Sequence, residues 1–143
     1  MKRLISSLLF VAAGAVAAGT YPTVMAEPNL EKRSELALKE ADGRITAAKK
    51  AYDENDMKEF SAHLSETQEL VELSYKSLVD TGKRARKSPK YFKRAEQNIR
   101  TLIRRLDSLA ADVGLEDREK VTTARNEINE VHDDLVHDIM TKK

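Results

Sequence analysis

Apolar residues return at alternating intervals of three and four along most of this chain, the period of an α-helix with one buried face. Four such stripes can be read. The first is Leu38, Ala41, Ile45, Ala48 and Tyr52. The second is Met57, Phe60, Leu64, Thr67, Val71, Ser74 and Leu78, widened by Leu70 and Leu73. The third is Phe92, Ala95, Ile99, Leu102, Leu106 and Leu109, with Ile103 alongside. The fourth is Val121, Ala124, Ile128, Val131 and Leu135, ending at Ile139. These stripes predict four amphipathic helices over roughly 29–54, 57–80, 89–113 and 117–141.

The gaps between stripes hold residues suited to end and start helices. Asp53-Glu54-Asn55-Asp56 is a polar turn, and Asp56 with Glu59 three residues on forms a capping-box pattern. Ser88-Pro89 predicts a serine N-cap ahead of a proline at the first helical position. Gly114 is expected to close the third helix in a left-handed conformation. Asp117 and Glu119 put negative charge at the start of the fourth. Gly43 alone interrupts a helix interior, where glycine costs about 1 kcal/mol relative to alanine, and it predicts a kink or a split.

Short turns join the first helix to the second and the third to the fourth, while a longer connector near 80–87 joins the two pairs. The expected fold is all-α: an antiparallel four-helix bundle made of two helical hairpins, running up-down-up-down. Two hairpins stacked as in a helical repeat, or a homodimer that completes the core, are the other arrangements the pattern allows. One hairpin alone cannot bury its stripe. Small seam residues (Ala41, Ala48, Thr67, Ser74, Ala95, Ala124) point to close helix approach or to a core thin enough to need a second copy.

At the first turn, Tyr52, Asn55, Asp56, Met57 and Glu59 together resemble the loop of a tetratricopeptide repeat, a helix-turn-helix unit that binds peptides. The resemblance stops at this hairpin. Phe60 stands where that pattern has a small alanine, no closing proline follows, and there is no second copy.

The first 26 residues read as a secretory signal peptide. Lys2 and Arg3 provide the positive start, and Leu4 to Ala18 is apolar and uncharged. Tyr21-Pro22 breaks that run, and Val24-Met25-Ala26 places small residues where a leader peptidase reads them, predicting cleavage after Ala26. A cut after Ala15 or Ala17 is the alternative. The apolar run is shorter than the ~20 residues of a spanning helix, which disfavours an uncleaved anchor. The expectation is a periplasmic or secreted protein whose domain occupies residues 27–143 and keeps no transmembrane segment after processing.

Composition narrows the chemistry. With no cysteine among its 143 residues, the chain has no disulfide, thiolate metal site or cysteine nucleophile, so an exported domain must hold together by packing alone. Five glycines and three prolines are too few for a β-sandwich or barrel. The inward stripe positions contain no Asp, Glu or His, whereas di-metal bundles project Glu and Glu-x-x-His inward. Asp134-x-x-His137 is the nearest motif, single and off the seam. His63 reads as a boundary residue. His132 and His137, five apart, point to different sides of their helix, while Asp133 and His137, four apart, could form a local ion pair. Met57 and Met140 have no histidine placed to share a haem. Thr81-Gly82-Lys83 lacks the upstream glycine and strand of a P-loop, and no G-x-S-x-G occurs. The expectation is a non-enzyme without cofactor or metal.

Near-neutral overall charge conceals strong segregation. Residues 83–105 carry a net +9, residues 27–80 a net −5, and residues 107–138 a net −7. One consequence is internal complementarity, with the basic third helix lying beside acidic neighbours. In an antiparallel hairpin turning near Leu115, Arg105 falls opposite Glu127. Exposed pairs of that kind contribute about 0.2–1 kcal/mol each but help select neighbours. The other consequence is an anion-binding patch of Lys83, Arg84, Arg86, Lys87, Lys90, Lys93, Arg94, Arg100 and Arg104, suited to anionic lipid, acidic polysaccharide or an acidic protein. Nucleic acid is not expected as a partner, because with Phe92 taken by the apolar stripe only Tyr91 offers an aromatic ring among the cations. A non-catalytic interaction or structural module is the reading that results. A chaperone-like binder, holding a peptide in an uncharged groove between hairpins, is its further variant.

Overall fold

A computed structural model of the chain describes residues 21–141, so most of the expected leader, residues 1–20, lies outside the described residues. A single turn, α1 (Pro22–Met25), precedes four long helices: α2 (Leu30–Asp53), α3 (Met57–Asp80), α4 (Pro89–Asp112) and α5 (Leu115–Met140). The described residues are helical apart from the connections, as the stripes predict.

The helix ends show which local signals operate. Asn29 caps α2 by accepting from the Lys32 N–H at 3.0 Å. At the other end Asn55 adopts φ 62°. Its N–H donates to Tyr52 O at 3.0 Å and the Asp56 N–H donates to Ala51 O at 2.8 Å, closing the helix in a Schellman motif. Asp56 then caps α3 through the Glu59 N–H at 3.1 Å. The reciprocal half of the expected capping box is not made, since the Asp56 N–H is already used by Ala51 and the Glu59 carboxylate lies 3.5 Å from His63 Nε2. Ser88 occupies the N-cap of α4 ahead of Pro89, but its hydroxyl caps nothing.

Two glycine expectations are overturned. Gly114 is extended (φ −68°, ψ 163°) and serves as the N-cap of α5, which begins at Leu115 rather than near Asp117. Its N–H donates to Tyr52 Oη at 2.8 Å, and a Cβ there would make only an ordinary 3.5 Å contact with that oxygen. Among the described residues the left-handed positions are instead Asn55 and Gly82. Gly43 neither splits nor ends α2, which runs unbroken through it, and a Cβ there would meet nothing within 4 Å.

Both predicted hairpins are present, α2 with α3 and α4 with α5, each antiparallel. The α2/α3 interface is the most extensive in the molecule. Ala37, Ala41 and Ala48 are fully buried there, so the α2 backbone comes close to α3. The polar residues on this seam are satisfied without water. Ser34 bonds Ser74 across the interface at 3.3 Å, while Thr67 and Ser77 donate back to the carbonyls of His63 and Leu73. Between hairpins the arrangement is the stacked one. α2 lies against α4 and α3 against α5, whereas α3 and α4, adjacent in sequence, touch only slightly across the diagonal. The facing helices are parallel: Glu35 meets Arg94 and Asp42 meets Arg105, while Tyr75 meets Asp138. Not every neighbour is therefore antiparallel, as an up-down-up-down ring would require.

The seams supply the core almost as predicted. Phe60, Leu70, Leu78, Ile99, Leu106, Ile128 and Leu135 are its largest fully buried side chains. Tyr52, Met57, Leu73 and Ile139 stay partly exposed at its margins. Phe60, out of keeping with a tetratricopeptide turn, fills the space beneath Tyr52, with ring centroids 5.2 Å apart. Among the described residues, buried positions outside the stripes are Ser34, Ala37, Ala51 and Ser77 within the helices and Tyr21, Val24, Ala85 and Val113 at loops and ends.

Two substitutions test this packing. Phe60→Ala is expected to cost about 3–5 kcal/mol in urea unfolding, because it removes a fully buried ring from the core and leaves a cavity. Gly43→Ala is expected to stabilise by about 0.5–1 kcal/mol in the same measurement, since the added methyl meets open space in a helix interior.

Candidate anion-binding surface

The connector that carries the first four candidate cations is a built turn. Gly82 takes φ 76°, Thr81 Oγ1 donates to Leu78 O at 2.6 Å, and the Lys83 N–H donates back to that hydroxyl at 3.1 Å. The Lys87 and Ser88 N–H groups both donate to Arg84 O, at 3.1 and 2.9 Å. Ala85 is inserted into the core, so Arg84 on one side and Arg86 and Lys87 on the other are turned into solvent. Beside them is a pocket of about 290 Å³ whose lining includes Arg84, Arg86, Phe92, His137 and Asp138.

The remaining candidates divide by their position around α4. On the flank toward α2 the cations are neutralised: Arg94 bonds Glu35, and Arg105 bonds Asp42 at 2.7 Å and Thr46 Oγ1 at 3.1 Å. Lys83 reaches Glu31 of the same acidic helix at 3.0 Å. On the flank toward α5 the polarity is reversed. Glu96 holds Arg100 one turn on at 2.8 Å and accepts from His132 Nε2 at 2.7 Å. Asp107 bonds Arg125 at 3.0 Å. Arg105 therefore does not meet Glu127. The predicted register of the hairpin is present in the neighbouring Asp107–Arg125 pair, but α2 is the nearer acid for Arg105. Likewise the expected Asp133–His137 pair gives way to His132, which bridges α5 to α4.

Six of the nine candidates remain: Arg84, Arg86, Lys87, Lys90, Lys93 and Arg104. All are exposed, and among the described residues none has an acid within ion-pair distance. At 3.6 residues per turn, Lys90, Lys93 and Arg104 fall within one sector of about 60° on the outer face of α4. They make a ridge that continues from the connector. Tyr91 is not a free stacking platform, because Lys90 Nζ and the Arg94 guanidinium lie 5.2 and 5.5 Å from its ring centre.

Elsewhere two buried-edge pairs stand out. His63 contacts Glu66 at 2.9 Å on the α3 surface. Tyr75 donates to Asp138 at 2.6 Å; burial, reinforced by this bond, pushes its phenol well above the usual range. Among the described residues no group of three or more His, Cys, Asp or Glu side chains could hold a metal ion, and no helix is long and apolar enough to cross a membrane. A groove of about 470 Å³ between α3 and α5 is lined by Ser61, Leu64, Gln68, Glu119, Lys120 and Ala124 among others. Its floor is apolar at Leu64 and Ala124 and its rim carries Glu116, Glu119 and Lys120.

The Glu96 carboxyl is held below its ordinary 4.5, chiefly by its hydrogen bonds with Arg100 and, beyond the opposing effect of burial, with His132. The unfolded chain takes up that proton more readily than the folded one. The contribution of Glu96 is thus complete above its unfolded value and is lost as pH falls through the lowered folded value. Glu96→Gln is expected to make unfolding less acid-sensitive from about pH 5 downward, with the two proteins diverging toward neutral pH as the parent regains its ion pair, as followed by urea unfolding across pH. In comparison with known proteins, the chain matches no family model, no curated protein and no solved structure.

Proposed function

We propose that this chain is a small exported, non-catalytic interaction module of the periplasm or cell exterior, which holds an anionic macromolecular partner on the connector and the outer ridge of α4. The observation that carries this reading is the division of the basic segment. Lys83, Arg94, Arg100 and Arg105 are matched by acids within the molecule, while Arg84, Arg86, Lys87, Lys90, Lys93 and Arg104 are exposed and unmatched. Internal complementarity accounts for the first group and not for the second. Unneutralised cations on one surface attract anionic surfaces over a Debye length, about 10 Å at 0.1 M salt. Export is supported by the charged start, apolar run and small-residue sites at the N-terminus.

Among the described residues the large exposed hydrophobics are Met25, Val79 and Met140 toward the connector end of the bundle and Leu115 at the opposite end, and four such residues alone do not define a homodimer face.

The expected behaviour is binding to vesicles containing phosphatidylglycerol, or to heparin, that weakens steeply between low and high salt. Replacing Arg86, Lys87, Lys90 and Lys93 with serine is expected to reduce vesicle affinity by about fivefold for each cation removed, with the helical circular dichroism unchanged. Binding that ignores both salt and these substitutions would remove the proposal.

A further inference from the structure

Six residues read from the sequence as the end of the leader are built into the folded domain. We propose that the leader is removed before Tyr21, within the small-residue run Ala15–Gly19, and not after Ala26, so that α1 is a permanent part of the exported protein. This rests on the export reading above and concerns where that processing falls.

The segment is held from several sides. Tyr21 and Val24 are 6% and 1% exposed, in a molecule whose other core residues come from the long helices and their connections. Tyr21 Oη donates to Glu69 Oε1 of α3 at 2.6 Å, and the Arg44 guanidinium of α2 lies 5.9 Å from the ring centre. Arg33 of α2 donates to the carbonyls of Glu27 and Met25, at 2.9 and 3.3 Å, fixing the exit from the turn. The Ala26 N–H donates to Pro22 O at 2.9 Å, closing the turn itself.

A cut after Ala26 would strip these contacts from the product. It would remove Val24 and the Tyr21 ring from the core surface and the hydroxyl from Glu69. It would also uncover Arg44, whose Nε is buried without a hydrogen bond and lies 3.5 Å from Glu66. The residues a peptidase would need at that position, Val24 and Ala26, are the buried centre and the closing residue of the turn. Upstream, Ala15-Val16-Ala17 offers the same small-x-small pattern directly after the apolar run. Cleavage there leaves Leu4 to Gly14 as the apolar core of the leader, inside the ~7–15 residues such cores occupy. It leaves only Ala18-Gly19-Thr20 ahead of the docked tyrosine.

The test is the intact mass of the untagged full chain after expression and recovery from the envelope or medium, run beside a Tyr21→Ala variant. The expected product begins at Ala18, or at another residue no later than Tyr21. The variant is then lighter by one side-chain difference and melts about 5–15 °C lower by circular dichroism. A product beginning at Glu27, with parent and variant identical in mass and melting, overturns the proposal and leaves export standing. An uncut chain retained inside the cell overturns the export reading, and this inference with it. A product that begins before Tyr21 but melts the same with or without the ring overturns the claim that α1 belongs to the fold.

Discussion

A helical hairpin with one apolar face is not stable alone in water, and with no cysteine available this chain depends on each of its two hairpins covering the face of the other. The way they do so governs the rest. In α2 the seam is mostly alanine, which lets its backbone come close to α3 and allows Ser34 and Ser74 to bond across the gap. Phe60, Leu70, Leu78, Ile99, Leu106, Ile128 and Leu135 then fill the space between the hairpins. The ends are tied by polar contacts between hairpins, Tyr52 to Gly114 at one end and Tyr75 to Asp138 at the other.

Stacking the hairpins in parallel decides where charge is spent. Because α4 lies beside α2 and not beside α3, the acids Glu31, Glu35 and Asp42 face one flank of the basic helix and neutralise it. Glu96 and Asp107, two of the three acids within α4, face α5 and find His132 and Arg125. What neither neighbour reaches is the outer ridge and the connector. There the burial of Ala85 turns Arg84, Arg86 and Lys87 outward. The anionic partner proposed for this surface is thus a consequence of packing as much as of composition.

Much of this was legible beforehand. The helix bounds follow the stripes to within one to two residues, because burial of one face imposes the spacing directly. The α4/α5 register was legible as well, since a tight turn fixes which residues are opposite. Errors gathered where two adequate local solutions compete. Glycine is permitted at both Asn55-like and extended positions, so Gly114 could not be told from a left-handed cap until Tyr52 was seen against it. A hydroxyl at an N-cap position, as in Ser88, is free to leave its backbone donors to solvent. Tyr21 and Val24 lie outside any helical period, and only the surfaces they cover reveal them as core.

The sequence by itself determined that the domain is helical, which faces of the four long helices are buried, where the hairpins turn, and that positive charge is concentrated in residues 83–105. Those properties depend on spacing of a few residues and on composition, which the chain states directly. Only the tertiary structure decided that α3 and α4 sit on a diagonal, that three of the nine candidate cations are neutralised, and that the turn at Pro22–Met25 belongs to the core. An eight-residue connector reaches up to about 26 Å, enough for either an adjacent or a diagonal placement of the second hairpin. The choice between them therefore falls to side chains far apart in sequence, whose contacts no local pattern encodes.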